Sequence, residues 1–232
     1  MTATANRRSF AVRSVMRMAC GLVLAGMLAL FAPLAAAGAP SGPWIAGQSY
    51  HLISPPQPVS TGDKIEVLEV FSYACPHCAR FQPYADRLRA SLPADARFAL
   101  MPADFEQGWD LFSRAFYTAK ALGVLDKTHQ ALFDALHRDH KPLLTLDALA
   151  GFYAGFGVDR GTFLSTAQSF IIDGDLQHAH DMEVAYGIDS TPTLIVDGKF
   201  RVTVNPGQDI GFDQMVDIAL YLVHQEEQAR HH

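Results

Sequence analysis

Cysteine is scarce in this chain, with three residues among 232. Cys20 lies in an apolar run near the N-terminus, so Cys75 and Cys78 are the two that remain once that run is set aside. A pair with only two residues between its members closes too short a loop to staple a fold, which excludes a structural disulfide framework. The same spacing is typical of redox-active pairs and of half of a zinc site.

A long apolar segment is also missing. The run over 18–34 has 17 residues and contains Pro33, whereas a membrane-spanning helix needs about 20 apolar residues. Four arginines precede the run, and an alanine triplet at 35–37 follows it as an A-x-A cleavage site. These features predict a secretory signal peptide at 1–37, with an uncleaved membrane anchor as the alternative, and a mature chain that begins near Gly38.

Basic residues are not in excess. The chain has 18 Lys and Arg against 24 Asp and Glu, and removal of the signal takes four arginines and no acid, which leaves a net charge of −10. Such an acidic chain lacks the basic surface that nucleic-acid binding requires, so that class is excluded. The 195 remaining residues suffice for one large domain or for a domain with a sizeable insertion.

Hydrophobic periodicity predicts an α/β fold. The central strand is rich in β-branched residues, and the middle of the chain has helical spacing only. The predicted elements, in chain order, are a short strand at 50–53, the central strand at 65–71, a helix at 75–91, a strand at 97–101, an all-helical block at 104–170, a helix at 173–186, a hairpin closed by Asp197-Gly198, and a helix at 212–225.

The segment Cys75-Pro76-His77-Cys78 follows the predicted central strand and opens the predicted helix. Cys75 should therefore face unpaired backbone N–H groups and the positive end of the helix dipole, which stabilise a thiolate. His77 adds a donor that can be positively charged, and Pro76 costs no hydrogen bond in the first turn. We expect Cys75 to be an exposed nucleophile, Cys78 to be its buried partner, and their disulfide to be strongly oxidising.

A metal site is the alternative from a different class of protein. A periplasmic metal-binding protein could use Cys75, His77 and Cys78 as ligands. No second ligand pair follows, however, and the other histidines are scattered. The sequence therefore predicts no metal and no cofactor beyond the redox-active pair.

The segment from Glu69 to Arg80, Glu-Val-Phe-Ser-Tyr-Ala-Cys-Pro-His-Cys-Ala-Arg, resembles the active-site segment of the DsbA family of periplasmic thiol:disulfide oxidoreductases. The resemblance extends to Thr191-Pro192, to the Asp197-Gly198-Lys199 turn and to the helical block, and so covers essentially the whole mature chain. It implies a thioredoxin fold with an inserted all-helical domain. The implied boundaries are 43–103 and 171–228 for the thioredoxin domain and 104–170 for the insertion.

The resemblance also implies an activity. A monomer in the periplasm would introduce disulfide bonds into unfolded or folding secreted proteins, and a DsbB-type membrane quinone oxidoreductase would reoxidise it. A disulfide isomerase or reductase of the same fold is the alternative within the enzyme class. Isomerases usually carry an N-terminal dimerisation domain, whereas only about 25 residues separate the predicted cleavage site from the predicted central strand.

Three more residues acquire expected roles from the resemblance. Pro192 matches a cis-proline beside the redox pair, although X-Pro bonds are usually trans, and Thr191 would offer backbone groups to an extended substrate peptide. Glu69 matches a buried acid beneath the site, although Glu is usually exposed to solvent. Known relatives pair that acid with a lysine on the next strand, where this chain offers Leu100 or Met101.

Three aromatic residues flank the motif: Phe71, Tyr73 and Phe81. They could form an apolar surface for unfolded substrates. We expect Phe71 and Phe81 to pack in the core instead.

Overall fold

A computed structural model describes residues 44–230, so the predicted signal peptide at 1–37 lies outside the described residues. A mixed five-stranded sheet with the order β1-β5-β4-β2-β3 organises the fold. Only β2 and β3 are parallel to each other, and every other neighbouring pair is antiparallel. The strands are β1 (His51–Leu52), β2 (Ile65–Phe71), β3 (Ala96–Pro102), β4 (Thr193–Val196) and β5 (Phe200–Thr203).

Strand β2 occupies the interior of the sheet. All seven of its residues are buried, because β3 and β4 cover its two edges and helices cover its faces. The register sets Glu69 opposite Leu100 on one side and opposite Leu194 on the other. The predicted central strand is therefore confirmed, and its C-terminal end leads directly to the two cysteines.

The α-helices account for most of the remaining chain. The helical block predicted over 104–170 is confirmed, and it includes a π-helical turn, Asp134–Arg138, that the spacing did not predict. The α-helices are α1 (Pro76–Ser91), α2 (Asp110–Ala121), α3 (Leu125–Phe133), α4 (Leu146–Ala154), α5 (Arg160–Ala167), α6 (Phe170–Tyr186) and α7 (Phe212–Arg230). Helix α6 begins three residues earlier than predicted, and α7 ends five residues later.

The hairpin between β4 and β5 has the predicted turn. Asp197 and Gly198 both have positive φ, 51° and 65°, and the Lys199 N–H donates to the Val196 carbonyl at 3.0 Å. This geometry is that of a type I′ turn, which suits the twist of a two-residue hairpin. A Cβ atom on Gly198 would lie 2.1 Å from the Gln57 carbonyl oxygen, so only glycine fits there.

Two apolar clusters hold the sheet in place. One joins β2, β4 and β5 to α1 and α7. The other joins the C-terminal end of β2 to the inserted helices, and both cysteines belong to it. The redox pair therefore lies where the sheet meets the insertion. Within residues 44–230, no helix combines the length and the apolar character that a bilayer crossing needs.

Candidate active site

The two cysteines lie at the N-terminus of α1. Cys75 is the residue before the first helical position, with extended backbone angles of φ −84° and ψ 115°, and Pro76 is the first residue of the helix. The Cys75 carbonyl accepts the Ala79 N–H at 3.2 Å and so begins the helical hydrogen bonding. The backbone N–H groups of His77 and Cys78 have no partner within the helix and remain available to the Cys75 sulfur.

The Cys75 sulfur is stabilised as a thiolate. The Cys78 thiol donates a hydrogen bond to it, which lowers the pKa of Cys75 to about 5 against the opposing effect of burial. The Thr191 side chain and the backbone N–H groups of Cys78 and His77 lower this pKa further. Burial raises the pKa of Cys78 far above its ordinary value, and the neighbouring Cys75 adds to that effect. The two thiols therefore differ greatly in acidity.

The prediction that Cys75 is exposed is wrong. Cys75 is 6% exposed and Cys78 is fully buried, so neither is a surface side chain. The reason is that the chain before β4 covers the pair: the Cys75 sulfur lies 3.6 Å from the Thr191 carbonyl oxygen. Pro76 and His77 are exposed instead. His77 acts on Cys75 through its backbone N–H.

The Thr191-Pro192 peptide bond is cis, as the resemblance implies. Pro192 is buried and immediately precedes β4, while Thr191 is partly exposed beside the sulfurs. Because β4 pairs with β2, this loop is fixed next to the end of the strand that leads to Cys75. The structure therefore brings together the four residues of the motif and both residues of the cis peptide.

Glu69 is completely buried, so its solvent-facing alternative is wrong. Burial raises the pKa of this carboxyl group to about 8, although the charge of Arg89 and a hydrogen bond from Gln82 act in the opposite direction. The Gln82 amide donates to Glu69 Oε1 and to the Cys78 carbonyl, both at 3.3 Å. Gln82 thus connects the buried acid to the redox motif. The sequence did not point to Gln82, because a single glutamine in a helix is not part of a recognisable motif.

A lysine does not stand opposite Glu69, where the register places Leu100. A cavity of about 580 Å³ lies beside this region and is lined by Gln82, Leu100, Arg89 and Lys120, among other residues. Arg89 contributes the positive charge that acts on Glu69. The cation that acts on the buried acid is therefore Arg89 of α1 and not a lysine at the adjacent position of β3.

The aromatic residues near the motif belong to the core. Phe71, Tyr73 and Phe81 are all fully buried, which confirms the expectation for Phe71 and Phe81. A role for Tyr73 on a substrate-binding surface is wrong, because its ring is enclosed and its hydroxyl is bonded to His129.

A metal site at the cysteines gains no support from the geometry. Among the described residues, one trio of His, Cys, Asp and Glu side chains brings its ligand atoms within 4.8 Å of one another, and it consists of Asp104, His180 and Glu183. His77 does not converge with the two thiols. The Asp104 trio is held by protein contacts of its own: the Asp104 N–H donates to Glu183, and His180 contacts the Asp104 carboxylate.

Comparison with known proteins agrees with this geometry. Residues 66–215 match the model of the DSBA-like thioredoxin domain. The thiol:disulfide interchange protein DsbA of Pseudomonas aeruginosa is 39% identical over 208 residues, which are 90% of this chain and 97% of that protein. DsbA of Azotobacter vinelandii is 37% identical over 184 residues, 79% of this chain and 85% of the relative.

Solved structures give the same result. The crystal structure of Pseudomonas aeruginosa DsbA has a TM-score of 0.75 at 39% identity, over 82% of this chain and 97% of that one. The structure of the oxidoreductase DsbA from Xylella fastidiosa has a TM-score of 0.74 at 35% identity, over 80% and 98% of the two chains. With a CxxC pair at the start of α1 and a cis-proline beside it, the chain belongs to the DsbA family of thiol:disulfide oxidoreductases.

Proposed function

We propose that the protein is a periplasmic oxidase that donates the Cys75-Cys78 disulfide to cysteine pairs of secreted proteins. The observation that carries this direction is the pKa of about 5 for Cys75 beside a buried partner whose pKa is raised. A stabilised thiolate favours the dithiol form over the disulfide, so the disulfide is a strong oxidant. A low pKa also makes Cys75 a good leaving group.

The reaction has two exchange steps. A substrate thiolate attacks the Cys75 sulfur, which breaks the Cys75-Cys78 bond and leaves the electron pair on Cys78. A second substrate thiolate then attacks the substrate sulfur of the mixed disulfide, and Cys75 departs as a thiolate. Two electrons pass to the protein, and the substrate gains one disulfide bond. No cofactor takes part in either step.

Glu69 is proposed to supply a proton after the first step. The Cys78 thiolate formed there is buried and must be protonated, because its pKa is raised. Glu69 has a pKa of about 8, so its carboxyl group is largely protonated at neutral pH, and Gln82 connects it to the Cys78 backbone. The carboxyl group can therefore store a proton beneath the redox pair.

Thr191 and Pro192 are proposed to bind the substrate backbone, and Pro76 and His77 to form the exposed rim of the site. An extended peptide could pair with the Thr191 backbone next to Cys75, which would align a substrate cysteine with the sulfur. The cis-proline contributes no N–H at that point. The exposure of Pro76 and His77 supports their contact with substrates.

The cellular setting is also a proposal. The predicted signal peptide at 1–37 would deliver the chain to the periplasm as a monomer, where its substrates are unfolded or folding secreted proteins. A DsbB-type membrane quinone oxidoreductase would restore the disulfide. We propose the domain boundaries given above: 43–103 and 171–228 for the thioredoxin domain, and 104–170 for the insertion. The helical content of the insertion and its junctions with β3 and α6 support them.

The redox equilibrium of the pair with glutathione tests the direction of the reaction. The thiolate of Cys75 is followed in the same samples by its ultraviolet absorbance, with Cys75→Ser as the baseline. A potential well above that of glutathione and an acidic Cys75 are expected. A strongly reducing potential with an ordinary Cys75 pKa would overturn the oxidase and favour a reductase.

A further inference from the structure

Tyr73 is held at both ends by histidines of the inserted helices. Its hydroxyl lies 2.8 Å from His129 Nδ1, and its backbone carbonyl oxygen lies 2.7 Å from His137 Nε2. Tyr73 is fully buried and stands two residues before Cys75. Through these two hydrogen bonds, the inserted helices fix the short segment that connects β2 to the redox motif.

The two histidines and Phe133 project from one helical segment at intervals of four residues. In a regular α-helix, each step of four residues drifts by about 40° around the axis. The π-helical turn that follows α3 has more residues per turn, so it reverses this drift and returns His137 towards Tyr73. The ring centroids of His129 and Phe133 lie 5.3 and 4.9 Å from that of Tyr73.

The protonation states make the hydroxyl contact a neutral hydrogen bond. Burial lowers the pKa of His129 to about 4, with a further contribution from Arg89, and burial raises the pKa of Tyr73 well above its ordinary value. The Tyr73 hydroxyl therefore keeps its proton, and it donates to Nδ1 of the neutral ring because Nδ1 is its only partner among the described residues. The N–H of the ring is then on Nε2, which is buried without a partner among the described residues.

The unpaired Nε2 lowers stability, whereas Nδ1 satisfies the buried Tyr73 hydroxyl, which a phenylalanine at position 129 would leave without a partner. What the histidine adds is a fixed orientation of Tyr73. On the other side of the segment, the Cys75 N–H donates to the Ser72 carbonyl at 3.1 Å, and the Ala74 N–H donates to the Ser72 hydroxyl at 3.2 Å. The turn that carries Cys75 is thus fixed by its own bonds and by the two histidines.

We propose that His129 and His137 are positioning residues of the redox centre: by fixing Tyr73 they orient Cys75 against the N-terminus of α1, so that the inserted helices set its reactivity. The proposal rests on the thiol:disulfide exchange activity and is independent of its direction. Neither histidine is proposed to touch the substrate.

His137→Phe is the first test, because it keeps a ring of similar size and removes the donor to the Tyr73 carbonyl. We expect the pKa of Cys75 to rise by about half a unit or more, which corresponds to about a threefold change in the thiolate equilibrium. The equilibrium constant with glutathione should shift with it. His137→Gln retains an N–H donor and should restore part of both values. His178→Phe replaces an exposed histidine on α6 and is the matched control.

Tyr73→Phe tests the second contact, because it removes only the hydroxyl group that His129 accepts from. This variant still tests the proposal if a variant at position 137 fails to fold. A rise in the Cys75 pKa is expected again. If the folded variants lose resistance to urea while the Cys75 pKa and the glutathione constant keep their wild-type values, the histidines only pack and the proposal is overturned. A reducing potential in the wild-type protein would refute the oxidase but leave this comparison intact.

Discussion

Cys75 and Thr191 are 116 residues apart in the chain, and the Cys75 sulfur lies 3.6 Å from the Thr191 carbonyl oxygen. The first residue begins α1 and the second precedes β4, and the pairing of β4 with β2 brings them together. Each half of the chain therefore supplies part of the environment that sets the acidity of the redox thiol.

Thr191→Val should make Cys75 less acidic. The Thr191 side chain lowers the pKa of Cys75, so replacing its hydroxyl with a methyl group should raise that pKa by about half a unit or more. Ultraviolet absorbance of the thiolate across a pH titration measures the shift. Thr118→Val is the control, because it makes the same change at a threonine whose hydroxyl donates to the Arg114 carbonyl within α2. An equal shift in both variants would contradict this assignment.

Reduction should stabilise the protein in a pH-dependent way. Cys75 has a depressed pKa in the folded dithiol form, so its contribution is present above the ordinary thiol pKa of 9.0 and is lost as the pH falls through about 5. The stability of the reduced protein relative to the oxidised protein should fall by on the order of 2 kcal/mol between pH 7 and pH 4, since the thiolate retains some contact with solvent. Groups that have the same pKa in the reduced and oxidised proteins cancel from this difference in stability.

Urea unfolding of the two forms at each pH measures this difference. Cys75→Ser, compared with the reduced wild type, provides the baseline without the thiolate. A difference that does not change with pH would show that the Cys75 thiolate is not stabilised.

Glu69→Gln should stabilise the protein at neutral pH. The pKa of Glu69 is raised from 4.5 to about 8 by burial, so its contribution is fully present below pH 4.5 and is lost as the pH rises through about 8. An uncharged amide of similar shape removes this loss, and we expect a gain of about 2 kcal/mol at pH 7 and none at pH 4. Urea midpoints at the two pH values check it, with the exposed Glu106→Gln as control. A gain that persists at pH 4 would be inconsistent with this explanation.

Gly198→Ala should destabilise the hairpin strongly. The new methyl group would meet the Gln57 carbonyl oxygen at 2.1 Å in a backbone that already has positive φ, so we expect a loss of about 3 kcal/mol. Gly174→Ala is the opposite case, because Gly174 lies inside α6 with open space around it, and alanine should add about 0.5 to 1 kcal/mol. Thermal unfolding of the two variants gives the comparison. Similar effects at both positions would refute the steric argument.

The redox motif could be predicted from the sequence because its chemistry is local. A strand that leads directly into Cys75-Pro76-His77-Cys78 places the first sulfur at a helix N-terminus whatever the rest of the fold does. The hairpin could also be predicted from the sequence, since Asp-Gly between two apolar runs is a strong turn signal. The cis-proline and the burial of Glu69 came from the resemblance rather than from any local pattern.

Long-range contacts account for what the sequence did not reveal. The exposure of Cys75 was predicted wrongly because the covering residue, Thr191, is distant in the chain. The sequence relates the histidines outside the motif only to a possible metal site, and His129 and His137 are two of these, since helical spacing does not show which loop a helix face will meet. The π-helical turn that aligns them has no composition signal of its own.

The position of β4 beside β2 has a consequence for the order of folding. Strand β3 follows β2 by a single helix, whereas β4 follows the whole helical insertion, and contacts so distant in sequence form late. Until β4 pairs with β2, Cys75 lacks the contribution of Thr191 to its low pKa, whereas the contributions of Cys78 and of the α1 backbone N–H groups are local to the motif. Cys75 therefore reaches its full acidity only when the chain completes its sheet.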